Sequence, residues 1–241
     1  MRIEYKKPYW IKFKWDLTSH NDNQYVTEFN KSDNSDFENL FLNDFTISVE
    51  FKIKSEYKKD TICMVFGKPG KNMGLTYNEE SKCVAFEFWT SDEKFHFVNL
   101  KGVEEQEIRN GVIVTIQRIG QTIVLYKNFE ISNTYEFGEN FTDDYQIPGL
   151  YLGCSSPQSE NENTRYHGEM DIEFFTIIKN QIKIDDVKTI HQIETQELPY
   201  KLFYNNILCI YNFNTINNLG IVYDESKNTN FLEKVPKEFI S

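Results

Sequence analysis

Asn110-Gly-Val-Ile-Val-Thr-Ile-Gln-Arg-Ile-Gly-Gln-Thr-Ile-Val-Leu-Tyr-Lys-Asn128 reads as two β-strands joined by a tight turn. Val112, Val114 and Ile116 alternate with Ile113, Thr115 and Gln117, so both faces of the first strand are partly apolar. Ile119-Gly120-Gln121 supplies the turn, because Gly120 takes a positive φ without steric cost. In the second strand Ile123 and Leu125 share one face, and Val124 and Tyr126 share the other. A hairpin apolar on both faces belongs inside a stacked pair of sheets and not at an exposed edge.

The rest of the composition agrees with strands. Of 241 residues, 20 are Phe and 14 are Tyr, an aromatic load that favours β-structure over helix. This length suffices for one β-rich domain with a full core, so residues 1–241 are expected to form a single domain. The net charge of −11 repels phosphate backbones and anionic membranes, which excludes nucleic acid as an expected partner. The acidity serves solubility and could also help hold a cation. Cys63, Cys83, Cys154 and Cys209 show no CxxC spacing, which argues against zinc and leaves one or two disulfides open. The N-terminal residues Met1-Arg-Ile-Glu-Tyr5 start no signal peptide, and no run reaches membrane-spanning length. The expected setting is intracellular, particle-borne, or a fragment of an exported protein.

Alternation predicts strands at 8–16, 24–29, 44–54, 61–67, 74–78, 82–90, 94–100, 131–137, 166–178 and 207–214. Phe45, Ile47, Val49, Phe51 and Ile53 give the cleanest period of two. Lys68-Pro-Gly70, Asn78-Glu-Glu-Ser81 and Ser91-Asp-Glu93 are turn chemistry between strands. One short helix is expected, over Ile184 to Ile193, with Asp185 and Asp186 in its first turn.

Several of these segments resemble laminin-G-like domains, which have the concanavalin A-like jelly roll. The hairpin matches that family's hydrophobic-Val-x-Thr strand and its Leu-Tyr-x-Asn-Gly strand, with Phe129 where the family has Gly and no Trp at the start. Phe45-Thr-Ile-Ser48 resembles another of its strands, a pattern shared with clostridial neurotoxin binding regions. Leu150-Tyr-Leu-Gly153, and Gly168-Glu-Met-Asp171 followed by the helix, resemble its closing elements. The resemblance covers about residues 24–193. Near the C-terminus, strand 207–214 and Asp224-Glu-Ser-Lys-Asn228 resemble elements that open the family's domain. They either close the sheet or start a second module. The resemblance implies an all-β, two-sheet antiparallel jelly-roll sandwich.

Three places could carry chemistry. Glu169-Met-Asp171-Ile-Glu173 resembles the Glu-x-Asp-x-Glu strand of β-glucanases of the laminarinase and lichenase type. That resemblance makes Glu169 the nucleophile, Asp171 the tuning residue and Glu173 the acid/base. Alternation puts the three acids on one face, with Met170, Ile172 and Phe174 toward the core. Four strand residues span about 13 Å, whereas a retaining pair needs its carboxyls about 5 Å apart, so the side chains would have to lean together. Solvated acids on a structural strand are the other reading. Asp224, Ser226 and Asn228 place oxygen atoms at alternate positions, as Ca²⁺ requires, or simply form a turn. Trp89, beside Thr90-Ser-Asp92, is either a platform for a sugar ring or a core aromatic. The four histidines, His20, His96, His167 and His191, pair with no nucleophile that the sequence reveals.

Three functional readings follow. The first is a non-catalytic recognition module that binds a glycan or a protein partner through rim loops, with Ca²⁺ as an expected cofactor. The second is a β-glucan hydrolase. The third is a structural or adhesion subunit of a larger assembly, such as a virus particle or a toxin.

Overall fold

The computed structural model describes residues 11–13, 27–29, 40–53, 62–68, 73–141, 151–152, 170–192, 206–212, 222–223 and 231–234. Two antiparallel sheets stack face to face, as expected. The first sheet has seven strands: β1 (Ile11–Phe13), β3 (Phe45–Ile53), β8 (Val112–Ile119), β9 (Thr122–Lys127), β10 (Glu130–Glu136), β12 (Met170–Lys179) and β13 (Ile207–Asn212). Its order is β1-β12-β3-β8-β9-β10, and β13 also pairs with β12. The second sheet has eight strands: β2 (Thr27–Phe29), β4 (Ile62–Lys68), β5 (Met73–Asn78), β6 (Cys83–Trp89), β7 (Phe95–Asn99), β11 (Tyr151–Leu152), β14 (Val222–Tyr223) and β15 (Phe231–Lys234). Its order is β14-β15-β2-β11-β4-β5-β6-β7. The C-terminal strands therefore join both sheets, β13 beside β12 and β15 beside β2.

The hairpin β8–β9 lies in the interior of the first sheet, between β3 and β10. Gly120 has φ 58° and turns the chain, and its N–H donates to Asp44 Oδ1 at 2.7 Å. Val112, Val114, Ile116, Ile123 and Leu125 join the inter-sheet core, which also holds Phe45, Phe51, Phe66, Phe86, Phe88 and Phe175. Phe66 and Phe175 meet across the sheets with ring centroids 5.6 Å apart. Each such ring contributes about 1.5–3 kcal/mol by leaving water.

The other face of the hairpin's sheet is covered by a helix instead of a sheet. The expected helix forms at Ile184–Gln192 (here α2; α1 precedes it at Glu105–Asn110). Val187 and Ile190 pack on Phe174, Ile178, Ile207 and Ile210 in a second apolar cluster. The sheet beneath is also polar. Gln117 Nε2 donates to the Ile182 carbonyl at 2.7 Å, and Thr46 Oγ1 donates to the Asn180 carbonyl at 3.0 Å. These bonds fasten the turn before α2 to β3 and β8. No helix among the described residues is long and apolar enough to cross a membrane.

Two features depart from the expected pattern. Helix α1 was not expected. It is signalled by Glu104-x-x-Glu107, in which the Glu107 carboxylate accepts the Glu104 N–H at 2.9 Å. A 3₁₀ turn at Leu40–Leu42 also precedes β3. The second departure is on β12. The pairing of β12 with β3 slips between Ile172 and Phe174, which makes Glu173 the extra residue of a β-bulge. The edge partner of β12 changes at the same place, from β1 to β13. Met170 and Ile172 face the inter-sheet core, as expected, but Phe174 belongs to the cluster under α2. The bulge has absorbed one step of the alternation.

Candidate functional site

The three acids of the β-glucanase-like strand do not form an evenly alternating row. Glu169 lies outside the described residues. Asp171 is 3% exposed, and Lys52 on the neighbouring strand reaches its carboxylate at 3.4 Å. Glu173 is half-buried at the bulge. Asp224, Ser226 and Asn228 lie outside the described residues. Among the described residues, no group of three His, Cys, Asp or Glu is placed to hold a metal ion. Cys83 is a free thiol, Cys209 is buried in the core, and Cys154 lies outside the described residues.

A pairing of histidine with a hydroxyl does exist, although the sequence did not reveal it. His191 Nε2 and Ser48 Oγ share a hydrogen bond of 2.8 Å, and Glu50 Oε2 lies 3.9 Å from His191 Nδ1. The order of groups is that of a Ser-His-acid triad. Its setting is not catalytic. Ser48 is fully buried, and its Oγ is also bonded to Thr115 Oγ1 at 2.7 Å, so no substrate carbonyl can reach it. Burial lowers the His191 pKa, only partly opposed by Glu50, which keeps the ring neutral. The trio fastens α2 to β3 and β8.

A second charged cluster also serves packing. Glu79, at the end of the β5 turn, is held by Arg109 of α1 at 2.6 Å and by Lys82. The Tyr77 hydroxyl, buried beside Arg109, is pushed up to about 12 by loss of water.

The outer face of β5, β6 and β7 is different, because it presents its larger side chains to solvent. In β6, Val84, Phe86 and Phe88 point into the core, which turns Glu87 outward, while Trp89 at the strand end is half-buried and also packs against that core. Register places Glu87 between Gly74 and Phe97, and Trp89 opposite Phe95. Phe95 and Phe97 are 46% and 45% exposed. Trp89 is half-buried, with its ring centroid 5.3 Å from that of Phe95 at an interplanar angle of 46°. Glu87 itself is only 8% exposed. Its Oε1 accepts the Thr76 hydroxyl at 2.7 Å, and Oε2 accepts no hydrogen bond from a described residue. Burial raises its pKa, against the pull of Thr76. Next to Glu87 across the sheet stand Gly74 and then Gly67, both of them buried. The result is a nearly buried carboxylate beside two exposed aromatic rings on the outer face of the sheet.

The face exists because β7 is turned against ordinary preference. Its Phe residues face solvent and His96 faces inward. His96 is satisfied there: Thr90 Oγ1 lies 2.9 Å from Nε2, Tyr135 Oη lies 2.9 Å from Nδ1, and Phe88 stacks on the ring at 4.9 Å. Trp89 was expected from the sequence. Phe95, Phe97 and Glu87 were not, and the alternation of 94–100 was the signal that placed the two Phe on a common face.

No family model matches the sequence, and neither does any curated relative. Solved structures do match in fold. A candidate carbohydrate-binding protein from Bacteroides ovatus superposes with a TM-score of 0.61 at 12% identity, covering 88% of this chain and 58% of that one. The chain thus spans well under two thirds of that protein. The CBM40 domain of the Ruminococcus gnavus IT-sialidase, bound to α2,3-sialyllactose, superposes at 0.50 with 15% identity, covering 68% of this chain and 91% of that domain. The binding domain of botulinum neurotoxin DC reaches 0.45 at 15% identity over 63% of this chain and 36% of that one. The fold is that of a β-sandwich also used by carbohydrate-binding proteins.

Proposed function

We propose that this chain is a non-catalytic recognition module that binds glycans on the outer face of β5, β6 and β7. One observation carries the reading: exposed Phe95 and Phe97, with Trp89 against Phe95, stand beside the nearly buried Glu87 carboxylate. Sugar rings present apolar C–H faces that stack on aromatic rings, and hydroxyls that a carboxylate accepts. Exposed aromatics beside a part-buried acid supply both. The fold likeness to proteins named for carbohydrate binding supports the same reading. The laminin-G-like assignment belongs to this proposal and rests on the motifs of the hairpin, β3 and β12. So does calcium: Asp224, Ser226 and Asn228 offer alternating oxygen ligands for it.

A glycan array probed with the purified chain, in Ca²⁺ and again in EDTA, tests the proposal. Binding to a defined glycan class is expected, weaker in EDTA. Binding that ignores EDTA removes calcium from the reading. A blank array in both conditions overturns it and favours a structural subunit of an assembly. Release of reducing ends from β-glucan, abolished by Glu169→Gln, overturns the non-catalytic part.

A further inference from the structure

The Glu87–Phe97 pair also carries information on which sugars fit it, provided the glycan-binding reading holds. Recognition of an anionic sugar, whether sialylated, uronic or sulfated, needs guanidinium or ammonium groups aimed at its acid. The described arginines are both committed elsewhere. Arg118 donates to the carbonyls of Phe41 and Gly120 and lies over the Phe141 ring, 4.6 Å from its centroid. Arg109 is ion-paired with Glu79 and Glu105. Lys94, in the turn that leads into β7, is paired with Asp92 at 2.5 Å. What the described residues of this face offer instead is acceptor chemistry: the Glu87 carboxylate, with Oε1 fixed by Thr76 and Oε2 free of hydrogen bonds from described residues. An anionic sugar placed on Phe97 would bring like charge against that carboxylate, in a protein whose net charge is already −11.

We infer that the Glu87–Phe97 pair on the outer face of β6 and β7 forms a subsite for a neutral, hydroxyl-rich sugar ring. Phe97 lies under the apolar face of the ring, and Glu87 Oε2 accepts one of its hydroxyls. Selectivity against acidic sugars is then built in by repulsion at Glu87 and is not left to loop shape.

Calorimetric titration of the native chain, Glu87→Gln and Phe97→Ala tests this, with neutral oligosaccharides of glucose, galactose and mannose set against sialyllactose and a sulfated oligosaccharide. The native chain is expected to bind a neutral oligosaccharide and neither acidic one. Glu87→Gln should weaken neutral binding by about tenfold or more, the loss of one charge-assisted hydrogen bond. Phe97→Ala, an exposed position whose truncation leaves the core intact, should also weaken it. Acidic oligosaccharides bound as tightly as neutral ones, or neutral binding unchanged in Glu87→Gln, would overturn the inference. If Phe97→Ala still weakened binding in that case, the glycan site itself would stand. Absence of binding to any oligosaccharide would remove both.

Discussion

The Phe129 ring stands edge-on to the imidazole of His191, with centroids 5.4 Å apart and planes at 76°. Phe129 is the second residue of a two-residue turn between β9 and β10, where Asn128 and Phe129 have φ of 50° and 70°. Glycine is the usual residue at such a position, and a bulky side chain there costs about 1–3 kcal/mol. Here the ring is kept because it packs on the cluster beneath α2. The departure from the laminin-G-like pattern thus follows from where the helix sits.

Two substitutions separate strain from packing at this turn. Phe129→Ala keeps the strained backbone and loses the ring. Phe129→Gly loses the ring but relaxes the backbone. Both are expected to be less stable than the native chain in urea unfolding, with the Gly variant more stable than the Ala variant by about 1 kcal/mol. An Ala variant equal to or better than Gly would contradict the strain.

His191 makes stability depend on pH. Its folded pKa lies below the ordinary 6.5, because burial outweighs the pull of Glu50. Above that value both folded and unfolded chains hold a neutral imidazole. As pH falls through it the unfolded chain takes up a proton first, so stability drops until the folded pKa is passed. His96 shifts in the same direction. Unfolding free energy is expected to fall between about pH 7 and pH 5, and His191→Gln should flatten part of that slope. An unchanged slope in His191→Gln would contradict a buried neutral ring.

The ion pair between Arg109 and Glu79 ties α1 to the end of β5, with side-chain exposures of 15% and 8%. Arg109→Met leaves a buried carboxylate with Lys82 as its cationic partner. The expected loss is about 3 kcal/mol, and Lys82→Met, whose side chain is more exposed, should cost less. Equal losses would show that the two cations share Glu79 evenly.

The bulge at Glu173 makes an unusual deletion tolerable. Removing Glu173 leaves Ile172 inward, Phe174 outward and Phe175 inward, so the core set is unchanged. Deleting Thr176 would reverse the faces of Ile177 and Ile178. The first variant is expected to fold with a loss of about 1–2 kcal/mol, and the second to fail to fold, read by near-UV circular dichroism and urea titration. A Glu173 deletion that folds and still binds glycan has no use for Glu173 as an acid.

These residues also show what the sequence made legible. The turn at Gly120, the clean face of β3 and helix α2 follow from local period and turn chemistry, whereas the two-sheet sandwich is implied by the resemblance of several segments to laminin-G-like domains. The bulge did not show, because one extra residue leaves no mark in a run that is apolar on both sides of it. The binding face was half legible. Alternation puts Phe95 and Phe97 together, but ordinary burial preference would send them inward. Its partners in the fold, Thr90 and Phe88 on the same hairpin and the sequence-distant Tyr135 on β10, make His96 the inward residue. The pairing of His191 with Ser48 spans 143 residues and was equally out of reach of local pattern.

The most direct test of the glycan-binding face is an array comparison of the native chain with a Phe95→Ala, Phe97→Ala double variant. Both positions are solvent-exposed, so the variant should unfold at the native midpoint. The account predicts that its signal on every glycan bound by the native chain falls by about tenfold or more. A folded double variant that binds the same glycans as strongly as the native chain would place the site elsewhere and contradict the account.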